Sequence, residues 1–450
     1  MLRASVGALV AGLVLAVGPA TQVAQAGQAE PFPTPTVTPK PVAKPLPRIV
    51  SRADGLYNEA TGEAFVSRGA NYTRLAKNSA GQVYHSTFEP SSYNRAKVLA
   101  FLDQMKHDGY NTVRVFIDHG TGTGEHGMGR GLGTHDKAYG PYMDTFASFV
   151  TDAAARGIYT VPSLDGFPTN SYYWGIVGDE GGANPVNMDG RNLSYMEHGR
   201  VTAKVEYVTN FATALLERIG QQYGTAILAY QSDNEVFFES NKAPFNKMTG
   251  SVTPLNGVTY HMRERAERQQ AANASLVEYS LRVKRGLDAV DPDALLAMGF
   301  FSYQAVGKNG PDGFAVHCDT NCSPTTDYRY PVPAGTLSYW GAVDLLDLHM
   351  YQHHGAPVLD LHAMGDRKDP YIVGEFGAYK PHYGNDITKA AYAMRDLQRD
   401  MCRLDSSGYL FFAWDTYEPL ASLDKFFQMT ESGGAINGQL APIVRPDPCG

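Results

Sequence analysis

The sequence predicts an α/β fold, a (β/α)8 barrel, on three observations. A unit of amphipathic helix, stop residue and short apolar strand recurs along the chain, which is the pattern of a parallel sheet. Eight such strands can be counted, which favours a closed barrel over an open doubly wound sheet, the structural alternative. The connections entering strands are short, whereas 119–141, 165–200, 236–262 and 303–340, which leave strands, are long.

Residues 1–26 stand outside this pattern. Arg3 gives a short basic start, Val6 to Val17 an apolar core, and Ala24-Gln25-Ala26 a small-residue cleavage site. Together they predict a secretory signal peptide cut after Ala26, and hence a secreted protein. In 27–48, Pro31, Pro33, Pro35, Pro39, Pro41, Pro45 and Pro47 alternate with Thr, Val and Lys. Such a run forms no helix or central strand and favours extended polyproline II. It reads either as a spacer from a cell surface or as a disordered leader. The barrel domain is expected over 49–450.

Phe65–Gly69 supplies the first strand. Val98, Phe101, Leu102 and Met105 then mark one helical face, stopped at Gly109 before the second strand, Thr112–Ile117. Met143, Phe146, Val150 and Ala153 lead through Gly157 to the third, Ile158–Val161. Val205, Val208, Phe211, Leu215 and Ile219 lead through Gly224 to the fourth, Ala226–Tyr230. A charged helix near 263–290 ends at Asp291-Pro292 before the fifth, Ala294–Met298. Val343–His349, Tyr371–Gly374 and Tyr409–Ala413 complete the set, with Ile387, Ala391, Met394, Leu397 and Met401 on the helix between the last two.

Composition removes several classes of function. Of 450 residues, 43% are hydrophobic and 19% charged, which excludes a disordered chain or a fibre. The net charge of −8 lacks the basic surplus of a nucleic-acid binder. No stretch after the signal is long and apolar enough to span a bilayer. A monomer is expected. The four cysteines allow three pairings, and export favours disulfides over metal ligands. Cys318 with Cys322 would close a small loop, leaving Cys402 with Cys449 to tie the last helix to the tail.

The chemistry is expected where strands end. The fourth strand runs into Gln231-Ser-Asp-Asn-Glu235 and the seventh through Gly374-Glu375-Phe-Gly377. A carboxylate at the mouth of a buried strand is costly unless something uses or pairs it. Two on one barrel rim suit glycosidic bond cleavage, where one carboxyl protonates the leaving oxygen and the other attacks or activates water. Arg114, within the second strand, would keep Glu375 ionised as a nucleophile requires. His349 and Tyr351 share a face by alternation, and Tyr351 is in reach of Glu375. Glu235, beside a charged Glu375, is expected to keep its proton near neutral pH. Asn234 is read as a sugar contact, and Trp414 either as a stacking platform or as rim packing. Trp174, in Tyr172-Tyr-Trp174, is read as a sugar platform or as loop packing.

These residues in this order resemble the large clan of retaining TIM-barrel glycoside hydrolases, closest in pattern to family 5, which includes cellulases and mannanases. The resemblance runs from Arg68-Gly-Ala-Asn71 through Asn-Thr-Val-Arg114, Asn234-Glu235, His349-x-Tyr351 and Gly374-Glu375-Phe-Gly377 to Trp414. It implies Glu235 as acid/base, Glu375 as nucleophile, a carbohydrate substrate, and neither metal nor organic cofactor. Asn71 and Asp165 are taken with it as further substrate contacts. Two positions depart from the family: Val236 stands where Pro is usual, and Leu164-Asp165-Gly166 stands near where a His is often found.

Other motifs carry less. Gly122-Thr-Gly124-Glu-His-Gly127 matches a nucleotide-loop pattern but runs into further glycines rather than a helix. Glu125, His126, His353 and His354 lack metal-ligand spacing. Asn71, Asn192, Asn273 and Asn321 open glycosylation sequons. With 27 Tyr and only three Trp, a short or decorated substrate is one expectation, and a β-linked mannan or glucan the other.

Overall fold

Eight parallel strands close into a barrel in the computed structural model, and they follow one another around it in chain order. The structure describes residues 44–120, 124–131, 137–181, 188–306, 327–330, 332–351, 367–416, 418 and 423–450. The signal peptide, most of the Pro-rich segment, Cys318, Cys322, Asn321, His353 and His354 lie outside the described residues. The barrel strands are Ser67–Tyr72, Thr112–Phe116, Tyr159–Ser163, Tyr230–Gln231, Leu296–Phe301, Leu345–Met350, Tyr371–Phe376 and Gly408–Phe411. Each pairs with the next, and the eighth returns to the first.

Most strand ends shift by one to three residues from those expected, and two strands differ for a structural reason. The first strand starts later, because Ala64–Phe65 belongs to a separate antiparallel sheet with Ile49–Arg52 and Gly55–Asn58. The fourth is reduced to Tyr230–Gln231, because Gln221–Ala226 coils into a 3-10 turn before it.

The helices form as their periodicity and caps dictate. Asn94 caps Arg95–His107 through the Lys97 N–H, Glu197 caps His198–Ile219, and Asp386 caps Ile387–Arg403. Their apolar faces cover the outward side chains of the strands, such as Val113 and Val115.

The barrel interior has an apolar floor and a polar mouth. At the N-terminal ends of the strands, Tyr159, Val161, Leu228, Ala297, Leu345, Ile372 and Leu410 pack with Ile49 and Leu56 of the small sheet. That sheet closes the floor: Ser51 Oγ donates to the Asp344 carbonyl, and Tyr159 Oη to the Pro47 carbonyl. Toward the C-terminal ends the inward positions become Asn71, Arg114, Ser163, Gln231, Asp347, His349 and Glu375, all buried. So many polar groups inside a barrel are tolerated only when they satisfy one another.

Candidate active site

Arg114 is the hub of that polar mouth. It projects inward from the second strand and is fully buried. Its Nη1 donates to Glu375 Oε1 at 2.6 Å and to Asn71 Oδ1 at 2.8 Å. Its Nη2 donates to Asn234 Oδ1 at 2.6 Å, and both Nε and Nη2 reach Gln231 Oε1. Residues from the first, fourth and seventh strands thus fix one guanidinium, and the guanidinium fixes Glu375. Tyr351 donates its hydroxyl to the other oxygen, Glu375 Oε2, at 3.0 Å. A carboxylate with a charged partner on one oxygen and a hydroxyl on the other is held in one orientation.

Glu235 lies across the mouth. The segment carrying it is pinned to the fifth strand by two backbone bonds, Gly299 N to Asp233 O and Val236 N to Gly299 O. The second explains the departure at Val236: proline has no N–H to donate there. A Cβ on Gly299 would fall 1.9 Å from the Asn234 carbonyl oxygen, so only glycine permits this approach. The Glu235 side chain is 26% exposed, while that of Glu375 is 6% exposed. Glu235, His349 and Glu375 each present an atom within 4.8 Å of the other two.

The electrostatics favour the proton on a neighbour over the one expected on Glu235. Glu235 Oε1 is 3.0 Å from His349 Nδ1. Burial alone would raise the Glu235 carboxyl, but the His349 hydrogen bond and the charges of His349, Arg329 and Arg114 outweigh it and lower its pKa. Burial alone would lower His349, but Glu375, Asp347 and Glu235 outweigh it and push the imidazole up to about 10. Both directions favour an imidazolium facing a carboxylate.

The other expected contacts divide. Asn234 lies at the mouth. Asn71 is fully buried, donates its amide to the Gly374 carbonyl at 2.8 Å and serves to position Arg114 and the seventh strand. Asp165 accepts from Arg191 at 3.2 Å, and the same arginine donates to the Glu235 carbonyl, which places Asp165 beside Glu235. Burial would raise the Asp165 carboxyl, but Arg191, Lys204 and His119 hold it low. Trp174 is 41% exposed and packs on Phe167 and Arg200. Trp414 is 3% exposed and packs edge-on against Phe101 and Tyr110, on the helix side of the sheet.

The apolar wall of the mouth is Phe412, not Trp414. Phe412 packs with Phe116 and Tyr351, next to the guanidinium of Arg114, which lies 4.7 Å over the Phe116 ring. His85 extends the wall, stacked 4.6 Å from Phe116, and burial lowers its pKa to about 4. His119, from the second strand's loop, packs against Gly166 beside Asp165, where the sequence lacks the family histidine. Gln231, Ser163 and Asp347 also went unmarked in the sequence, although alternation from His349 along the sixth strand points to Asp347.

Glu235, His349 and Glu375 are near enough to share a cation, but the position is already charged. Arg114 Nη1 lies 2.6 Å from Glu375 and the His349 imidazolium 3.0 Å from Glu235. A divalent ion would have to displace both.

No family model matches this chain, and no curated protein matches it. Solved structures do. The endo-1,4-beta-mannanase from Rhizomucor miehei aligns with a TM-score of 0.56 at 12% identity, over 89% of this chain and 100% of that one. The exo-beta-1,4-mannosidase Op5Man5 from Opitutaceae bacterium strain TAV5 aligns with a TM-score of 0.54 at 17% identity, over 88% of this chain. This chain spans only 62% of that protein's length. GH5_18 from Streptomyces cattleya, solved with GlcNAc, aligns with a TM-score of 0.51 at 15% identity, over 84% of this chain and 80% of that one. At these identities the likeness is one of fold: this chain has the closed parallel barrel found in these glycoside-hydrolase structures.

Proposed function

We propose that this chain is a secreted, monomeric β-glycosidase that retains configuration, with Glu375 as nucleophile and Glu235 as acid/base. One observation carries the reading: two glutamates from opposite strand ends present oxygens within 4.8 Å of each other. Carboxyls about 5–5.5 Å apart suit direct attack, whereas inverting enzymes separate them by about 6.5–9.5 Å to admit a water. Arg114 and Tyr351 hold Glu375 as an anion aimed at the mouth. Its oxygen attacks the anomeric carbon while the leaving oxygen takes a proton from Glu235. An ester joins sugar and Glu375. Water then gives its proton to Glu235, attacks the same carbon and releases Glu375.

A β-linked mannan-type poly- or oligosaccharide is the proposed substrate. The solved structures that share the fold include a mannosidase and a mannanase, which supports mannan over glucan. The mouth offers phenylalanine and neutral histidine side chains rather than an indole, which suits a short segment.

Product configuration tests the mechanism, read by proton NMR during hydrolysis of an aryl β-mannoside. Retention is expected. Glu375→Ala should abolish turnover on every substrate. Glu235→Ala should still release an activated aryl group, which leaves without a proton. Added azide should restore Glu235→Ala to a product of retained configuration and Glu375→Ala to one of inverted configuration. Inversion by the unaltered enzyme, or near-normal turnover by Glu375→Ala, would sink the assignment.

A further inference from the structure

Asp347 lies two residues before His349 on the sixth barrel strand, fully buried, and faces the same way. Its Oδ1 accepts from the Gly374 N–H at 2.6 Å and its Oδ2 from the Gln231 amide at 2.5 Å. The same Oδ2 is 3.6 Å from Arg114 Nε and 3.7 Å from His349 Nε2. A Cβ on Gly374 would fall 2.0 Å from Oδ1, so the glycine before Glu375 leaves room for this carboxylate. Asp347 lies beneath the glutamates and is walled off from the mouth by the groups that it binds.

The placement constrains the charge on His349. Nδ1 faces Glu235 Oε1 at 3.0 Å and Glu375 Oε2 at 3.7 Å, while Nε2 faces Asp347 and makes no hydrogen bond. A neutral imidazole keeps one ring nitrogen as a bare lone pair. Here that lone pair would point at a carboxylate whichever nitrogen carried it. Only the imidazolium presents an N–H to both sides. The groups facing it are Glu235 from the fourth strand's end, Glu375 from the seventh strand, Asp347 and Tyr351 from its own, and Arg114 from the second. The fifth strand brings Phe301 alongside and no charge.

We propose that Asp347 is a positioning residue for the proposed reaction, a buried counter-charge that keeps His349 an imidazolium so that the His349–Glu235 pair stores the proton for the leaving oxygen. This deepens the glycosidase reading and rests on it. Once substrate covers the mouth, His349 passes its Nδ1 proton to Glu235, and Glu235 passes a proton to the departing oxygen. His349 is then neutral. The proton that Glu235 later takes from the attacking water returns to Nδ1, and the books balance over one turnover.

The test is NMR of the full chain labelled with 15N-histidine, with His349→Gln to assign the signal. In the unaltered protein both His349 ring nitrogens should remain protonated at pH 8. In Asp347→Asn the proton affinity of His349 should fall on the order of tenfold or more, one pKa unit being tenfold in affinity. In that variant the alkaline limb of kcat/KM for a β-mannoside with an unactivated leaving group should move to lower pH by the same shift, with the loss greatest on that limb. An activated aryl β-mannoside should lose roughly threefold or less, because its departure needs no proton. A merely structural role would lower both substrates alike and leave the histidine titration unmoved. If Asp347→Asn does not fold, the titration of the unaltered protein still decides. A neutral His349 at pH 7, or an unshifted titration in the variant, overturns the assignment whatever the activity. A charged His349 in a chain inert on every β-glycoside overturns the glycosidase reading, and with it the proton's destination.

Discussion

Phe412 and Trp414 stand two residues apart and serve different sides of the barrel wall. Strand alternation would give them the same face, and the sequence reads Trp414, at the strand's end, as either a stacking platform or rim packing. The ladder ends at Phe411, so the alternation does not extend to Trp414. The indole packs instead against Phe101 and Tyr110. Phe412→Ala should therefore raise KM or lower kcat/KM of the folded protein, in addition to the stability that truncating a buried aromatic costs. Trp414→Ala should cost about 3–5 kcal/mol of stability, as for other large core truncations, with kinetics of the folded protein little affected. Thermal melts beside steady-state kinetics separate the two. By contrast Arg114, His349, Tyr351 and Glu375 were legible, because each lies within a strand or one residue past its end, where period two still holds. His349 also predicts a pH effect. Its folded pKa of about 10 exceeds the ordinary 6.5, so the stability it contributes is full below about 6.5 and is lost as pH rises through about 10. The stability advantage of the unaltered protein over His349→Gln, measured by urea unfolding, should shrink across that window. An advantage that grows with pH would contradict the ion pair.

Among the elements, the last helix and the C-terminal tail depend on each other. Cys402, near the end of Ile387–Arg403, bonds to Cys449, 47 residues on. The tail between them covers Arg68, whose guanidinium donates to the carbonyls of Leu440, Arg445 and Pro446. Without the tail this largely buried cation would lose its acceptors. Closing a loop of this length is worth up to about 4 kcal/mol by chain entropy, with about 2–4 typical. Cys402→Ser should lose an amount in that range by denaturant unfolding and should become indifferent to reductant. Of the three pairings that four cysteines allow, the close spacing of Cys318 and Cys322 points to Cys402 with Cys449, and that bond is the one seen here. The amphipathic helix beneath was readable from its apolar repeat, and Asp386 adds the cap that starts it.

At the scale of the whole molecule, the barrel was the most legible feature, since it repeats its unit around the ring and each copy confirms the last. Among the described residues, Glu235 and Glu375 lie at the C-terminal ends of their strands, where the long connections leave. The floor was not legible. Its strands run for four, four and two residues, too short for periodicity to register, and Phe65 was drawn into the barrel rather than the sheet below. Leu56 is its most buried apolar side chain, wedged among the strand starts. Leu56→Asp should prevent or severely weaken folding, because the barrel's lower layer would have to solvate an unpaired charge. Circular dichroism of the purified variant checks this directly.

The floor also decides how the molecule is joined to anything else. Arg48 is tied to Asp293 at the start of the fifth strand, and Pro47 to Tyr159 at the start of the third. The chain therefore enters the barrel from beneath, on the side away from Glu235 and Glu375. A fusion partner joined at residue 44 would therefore start from the floor side, whereas one placed in a rim loop would stand over Glu235 and Glu375.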